Sequence, residues 1–444
     1  MMRQIRNLNP PIPTFPRKGG RRDSPLPLDG GGRGWRYDPL PLDGGERGWR
    51  YDPLPLDGGG RGWGWCGVLA LFMVIFFLKS ATSQSVVPSF TVKNYPAGDN
   101  PFQLQVADFD KDGNVDFAVV NRSSHDVTIF LLTRDGKGGM KVDRWNYKTG
   151  KNPVALFAAD LNGDGKIDFV TANLGENTIT TLINKGKIEE YGILDLVKGK
   201  SYPLGDAPYA IWGGDFDGDG DIDLAVAVEN LSVTQNLGRV VIFKNDGKGE
   251  FQLQTSCEVG MEPRTIIGVD INGDGAIDLI TTNKGGGTAS ILFNDGKGNF
   301  PNVTSFEAGD SPNGLWAGDL DGDGDIDLAV TNISSNTITI LKNQGKGILG
   351  KGISYPVQAQ FPFALVGIDI DKDGDIDLIT ANLVGDNISL LLNRGDGSFE
   401  FFQSYPAGNG PRSIAAGDFN GDGLLDLVVS NRFSDDVSLF LQQP

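Results

Sequence analysis

The sequence predicts an all-β protein: a seven-bladed β-propeller of four-stranded blades, closed by an N-terminal strand and preceded by a disordered leader. Three observations predict it. A nine-residue acidic loop recurs at a near-constant interval. Each copy is flanked by short β-rich runs. The two ends of the repetitive region complement each other, as the ends of a closed ring must.

The loops begin at Asp108 (DFDKDGNVD), Asp160 (DLNGDGKID), Asp215 (DFDGDGDID), Asp270 (DINGDGAID), Asp319 (DLDGDGDID), Asp369 (DIDKDGDID) and Asp418 (DFNGDGLLD). The intervals are 52, 55, 55, 49, 50 and 49 residues. A period near fifty marks a propeller or solenoid. The third copy shows the strands. PYAIWGGDF (208–216) enters the loop, IDLAVAV (222–228) leaves it, and GRVVIFKND (238–246) and EFQLQTSCEVG (250–260) follow. Each run is bounded by Gly, Asn, Asp or Pro, as strands and hairpins are, and no window has helical periodicity. One such sheet cannot bury both faces, whereas seven arranged radially can.

The last repeat ends after its third strand, DVSLFLQ (436–442). The segment before the first repeat, SFTVKNYPAGDNP (89–101), resembles the fourth strand of the sixth, SFEFFQSYPAGNGP (398–411). Residues 89–95 are therefore predicted to complete the seventh blade.

Composition narrows the chemistry. The 444-residue chain has a net charge of −18, and 25 of its 57 acidic residues are aspartates at positions one, three, five and nine of the loops. Nucleic acid binding needs a basic footprint and is not expected. A single histidine, His125, argues against histidine triads and histidine-ligated zinc. Of two cysteines, Cys66 lies in the leader and Cys257 in the repeats, so no internal disulfide is expected.

Residues 1–63 carry three near-copies of a 14-residue Pro-, Gly- and Arg-rich unit, from Ser24, Asp38 and Asp52. This segment is expected to be disordered, either as a binding tail or as translated repetitive sequence ahead of a downstream start. Within 64–83, the eleven apolar residues 68–78 (VLALFMVIFFL) suit a signal h-region with cleavage after Ser83, or an uncleaved anchor. Both readings place the propeller, 85–444, outside the cytoplasm, secreted or at the cell surface.

The loop pattern is D-x-[DN]-x-D-G-x-x-D. Oxygens at positions one, three, five and nine, with a backbone carbonyl at seven, can converge on one centre, and calcium takes six to eight hard oxygen ligands in flexible geometry. Glycine at position six permits the sharp turn. The opening half matches an EF-hand loop, but an EF-hand needs Glu at position twelve and flanking helices. Position twelve here is Val or Thr, as in Val226 and Thr281. Magnesium demands stricter octahedral geometry, and zinc prefers Cys or His. The metal-free alternative is a set of solvated Asp/Gly turns.

GDFDGDGDIDLAV and the downstream NDGKGNF resemble the FG-GAP, or VCBS-type, repeats of integrin α-subunit propellers, over about 88–444. The resemblance implies a calcium ion in the loop between the first two strands of each blade, up to seven in all. Integrins carry only a few such loops, which favours a non-integrin relative. Carried over copy by copy, the implied ligands are Asp108, Asp110, Asp112 and Asp116 with the Asn114 carbonyl in the first blade. In the second they are Asp160, Asn162, Asp164 and Asp168 with Lys166, and in the third Asp215, Asp217, Asp219 and Asp223 with Asp221. The fourth offers Asp270, Asn272, Asp274 and Asp278 with Ala276, and the fifth Asp319, Asp321, Asp323 and Asp327 with Asp325. The sixth offers Asp369, Asp371, Asp373 and Asp377 with Asp375, and the seventh Asp418, Asn420, Asp422 and Asp426 with Leu424.

Specific function is expected on the other rim. There Asn121, Asn173, Asn283, Asn332, Asn382 and Asn431 each open a turn between second and third strands. Either they form a ring of amides for a polar ligand, or each bonds to backbone within its turn; recurrence favours the turn. The longer third-blade turn, 229–238, is the irregular one. RGD at 394–396 aligns with the NDGKG turns and reads as a turn. N-x-S/T sites stand at Asn121, Asn230, Asn302, Asn332 and Asn387. The reading is a monomeric, non-enzymatic propeller with structural calcium and a protein or glycan partner. The rival is an enzyme like the calcium-bearing polysaccharide lyases, and a third reading is a lectin like certain fungal propellers. A lyase needs Arg, Lys, Tyr or His clustered at the central channel, and the sequence offers no such constellation.

Overall fold

A computed structural model describes residues 88–134, 139–188, 190–230 and 237–444. The leader, its apolar run and the cleavage site lie outside the described residues. So does most of the irregular third-blade turn.

The described residues contain 28 strands and no helix, in seven four-stranded antiparallel sheets. The third blade is Ala207–Gly214, Asp223–Glu229, Arg239–Asn245 and Phe251–Glu258, within a residue or two of the runs read from the sequence. The seventh combines Pro411–Gly417, Asp426–Asn431 and Asp436–Gln442 with Phe90–Pro96 from the other end of the repeats. The closing pair runs antiparallel from Phe90 opposite Gln442 to Pro96 opposite Asp436. The predicted ring closure is therefore present, one residue further along.

Burial follows position in the blade. Second strands such as Asp116–Asn121 are buried along their whole length, whereas the fourth strand of the fourth blade, Asn302–Glu307, is almost wholly exposed. The reason is two-sided covering. Side chains alternate between faces of a strand, and each inner strand has a neighbouring blade on both sides. Phe117 and Val119 pack with Phe419, Val428 and Leu439 of the seventh blade. Ala118 and Val120 pack with Leu156 and Phe169 of the second. Seven such apolar clusters form, each spanning two adjacent blades.

Candidate metal centre and channel mouth

Each acidic loop is held by its second residue. Phe109, Leu161, Phe216, Ile271, Leu320, Ile370 and Phe419 are at most 2% exposed, and each belongs to a cluster shared with the next blade. The carboxylates therefore sit on an apolar anchor. This is why so acidic a stretch adjoins a core strand.

Within the loop the positions divide the work. At position one, an aspartate oxygen accepts the N–H of the position-six glycine in all seven copies, at 2.9 Å for Asp108 and Gly113 and for Asp215 and Gly220. That glycine has φ between +81° and +95° in all seven copies. A Cβ at Gly220 would meet nothing within 4 Å, so the requirement is for backbone conformation and not for space. At position five, Oδ1 accepts the N–H of position seven in every copy, as from Asp221 to Asp219 at 3.0 Å.

Position nine is the strut. Asp223 is 1% exposed; it accepts the Phe216 N–H at 3.3 Å and the Asn245 N–H at 2.8 Å. It thereby ties the loop to the end of the third strand, and its siblings repeat the pattern. Burial pushes these carboxyls upward, to about 8 for Asp116 and Asp377 and to about 6 for Asp168, Asp223, Asp278, Asp327 and Asp426. The backbone donors oppose that rise, and neighbouring loop aspartates add to it.

In four loops the oxygens of positions one, three and nine lie within 4.8 Å of one another: Asp108, Asp110 and Asp116; Asp215, Asp217 and Asp223; Asp319, Asp321 and Asp327; Asp369, Asp371 and Asp377. The other three carry an amide at position three, Asn162, Asn272 or Asn420. Of the predicted ligand set, position five lies outside these clusters, folded back on its own loop.

A cation fits these cages. Buried oxygens of Asp217, Asp321 and Asp369 have no hydrogen-bond partner, and such groups are rarely left so. Protein cations approach several loops. Lys187 reaches Asp110 at 2.6 Å, Lys342 reaches Asp321 at 3.0 Å, and Lys244 bridges Asp217 and Asp219. One ammonium supplies a single charge to three or four carboxylates. The hard-oxygen donor set at this spacing suits calcium.

An inter-blade latch was read from the sequence only as a turn. The Asn294 side chain, at the end of its third strand, donates to the Phe216 carbonyl of the preceding blade at 2.9 Å and to its own Ile277 carbonyl at 3.0 Å. Asn184, Asn245, Asn343 and Asn393 do the same, and Gln442 donates to the Ile370 carbonyl. The signal is the Asn that recurs before the third-to-fourth-strand turn in five blades, at 184, 245, 294, 343 and 393.

On the opposite rim the turn asparagines are all fully buried. They are not a ligand ring, and their bonds differ from the expected ones. Asn332 Nδ2 donates to the Thr337 and Thr339 hydroxyls at 3.3 and 2.7 Å, so its partners are side chains on the third strand and not backbone. Asn121, Asn173, Asn283, Asn382 and Asn431 repeat this. Asn121 and Asn332 are therefore closed to glycosylation in the folded chain. The RGD segment is a turn: Asp396 accepts the Ser398 N–H at 2.9 Å and Arg394 pairs with Glu400. His125 accepts the Asn152 N–H at Nδ1, 3.1 Å away, and serves its turn.

The channel corrects one expectation. First strands line it, with the acidic loops of the fifth and sixth blades (319–324 and 369–375) at one end, and the whole encloses about 1970 Å³. At the mouth opposite the acidic loops, each first strand has a register irregularity just after its opening proline. The residues following those prolines are Phe102, Val154, Tyr209, Arg264, Asn313, Phe363 and Arg412, and all line the channel. Here the repeat stops repeating. Arg412 lies over the rings of Phe102, at 3.3 Å, and Phe363, at 4.0 Å, while Arg122 and Arg432 stand 5.4 and 5.6 Å from Phe102. Arg264 lies 3.9 Å from the Tyr209 ring. An Arg/Tyr constellation thus exists, assembled from four blades, with a stacking phenyl ring from a fifth. No periodic motif announces it.

Six overlapping matches to the FG-GAP-like repeat model run from 108–171 to 369–429, spanning 108–429 without a break. The chain belongs to the FG-GAP repeat family. No curated protein sequence matches it. Among solved structures it is similar to a catalytically inactive virginiamycin B lyase from Staphylococcus aureus, at 16% identity and a TM-score of 0.53, covering 80% of this chain and 99% of that one. It is also similar to a periplasmic gluconolactonase from Pseudomonas aeruginosa, at 16% identity and a TM-score of 0.51, covering 70% and 86%. At such identity the likeness is one of fold.

Proposed function

We propose that this FG-GAP propeller is an exported, non-enzymatic recognition module, stabilised by up to seven structural calcium ions. Its protein or glycan ligand sits on the rim opposite the acidic loops. The observation that carries the calcium reading is the convergence of three carboxylates in each of four loops, with buried oxygens that no protein donor satisfies. When bound, calcium supplies positive charge that one lysine cannot. The chain's own part is to hold the carboxylates in place through the position-nine strut, the position-six glycine and the apolar anchor.

Recognition on the far rim is supported by exposed apolar side chains on adjacent blades. Phe361, Val384 and Phe433 are 43, 49 and 59% exposed, and clustered exposed apolar surface marks interaction sites. Export rests on the apolar run 68–78.

Calcium is tested by chelation. EGTA should lower Tm by roughly 10 °C or more, because ions that bind only the folded chain stabilise it by mass action. Readdition of calcium should restore it. An unchanged Tm, with no calcium detected by elemental analysis of the purified protein, defeats the reading.

A further inference from the structure

The channel mouth is the electrostatic opposite of the acidic rim. Among the described residues Arg122, Arg412 and Arg432 form no ion pair within 4.0 Å, although the chain is strongly acidic. Only Arg264 is neutralised, by Glu229 and Glu262 at 2.8 Å each. Arg432 donates to an amide oxygen, that of Asn100, at 3.1 Å. Arg412 makes no hydrogen bond among the described residues and rests between two phenyl rings.

Bringing three unpaired guanidinium groups around one ring is costly, and other blades hold uncharged residues at the position of Arg412. Val154 and Asn313 occupy the equivalent places in two other blades. Burial pushes the Arg412 pKa down, and the charges of Arg432, Arg122 and Arg264 add to that fall. The position is also a built one, since the strand irregularity that aims Arg412 into the channel recurs in every blade, and β-bulges re-aim side chains beside functional sites. Stacking on Phe102 and Phe363 fixes the guanidinium plane and leaves its edge donors available.

We propose that this mouth binds a compact polyanion, such as a saccharide carrying adjacent sulfate or carboxylate groups, with Arg412 as the central contact and Arg122 and Arg432 beside it. Three unpaired charges around one ring match clustered anionic groups better than one isolated ion. The channel of about 1970 Å³ is larger than a single anion needs, and the loop aspartates at its other end, among them Asp321 and Asp373, would confine the anionic groups to the arginine mouth. This deepens the recognition reading by naming the ligand's chemistry and rests on it for the choice of rim.

The test is calorimetric titration of the full chain with sucrose octasulfate, sucrose and inorganic sulfate. Octasulfate should bind, at least tenfold tighter than inorganic sulfate, and sucrose should not. Arg412→Gln should weaken octasulfate binding at least tenfold while leaving Tm equal or higher, because it removes an unpaired charge. A structural arginine would show the reverse, lost stability with retained binding. Absence of octasulfate binding, or equal binding by Arg412→Gln, overturns the site. Inorganic sulfate binding as tightly as octasulfate overturns the ligand class. Binding that survives Arg412→Gln but vanishes with EGTA moves the ligand to the acidic rim; this overturns the channel site and leaves calcium standing.

Discussion

Asp215 and Asp223 stand eight residues apart in one loop and do different work. Asp215 accepts bonds from exposed loop amides, including the Gly220 N–H at 2.9 Å, and contributes charge to the cage. Asp223 holds two buried backbone donors from separate parts of the blade. Asp215→Asn keeps an acceptor and deletes a charge. It should lower bound calcium by about one ion per chain while leaving Tm in EGTA nearly unchanged. Asp223→Ala strands two buried donors, at about 1–3 kcal/mol each, and should lower Tm with or without calcium. Calcium analysis and melting of the two variants, side by side, separate ligand from strut. Equal behaviour of both variants would contradict this division.

At the scale of the element, the latch and the closing strand decide stability. Asn294→Ala deletes the donor shared by two buried carbonyls in different blades. The expected cost is about 2–3 kcal/mol, read as a lowered urea midpoint with an unchanged slope. A similar change at exposed Asn302 should cost under about 0.5 kcal/mol. The closing strand Phe90–Pro96 pairs along its whole length with Asp436–Gln442. A chain shortened to begin at Ala97 exposes that strand's edge and should self-associate, as sedimentation would show. A peptide covering 89–96 should reverse the effect. A shortened chain that remains monomeric, with unaltered Tm, contradicts closure by this strand.

The described residues form a ring of seven interfaces in which each acidic loop is anchored in the core shared with the next blade. Loosening one loop therefore loosens an interface, and ring closure spreads the effect. Chelation should shift one calorimetric transition as a unit and not release a single blade. The charge is polarised as well. Carboxylate cages occupy one rim and the unpaired guanidinium groups the other mouth, so ligand and calcium are expected to act at opposite ends of the channel.

Repetition made much of this legible. The acidic loops, the strand runs and the complementary ends recur or match in the linear sequence, because a ring of equivalent blades must meet the same local demands seven times. Position-six glycine, the position-nine aspartate and the missing fourth strand were readable for that reason. The turn asparagines are visibly recurrent, but their third-strand partners are not, since the side-chain oxygens five and seven residues on become neighbours only once the hairpin forms. The latch was misread because its acceptor lies in another blade, 78 residues from Asn294 in the case of Phe216. Phe102, Tyr209, Arg264, Phe363 and Arg412 hold the same place, after the opening proline, in five different blades; the spacing repeats there but the residue type does not, so no motif marks the position. The blades, their number, their closure and the acidic loops are legible in the linear chain, because each follows from a local pattern repeated in register. What meets at the channel mouth emerges only once the ring has closed. There the first strands converge and distant, non-repeating side chains come within a few ångströms of each other.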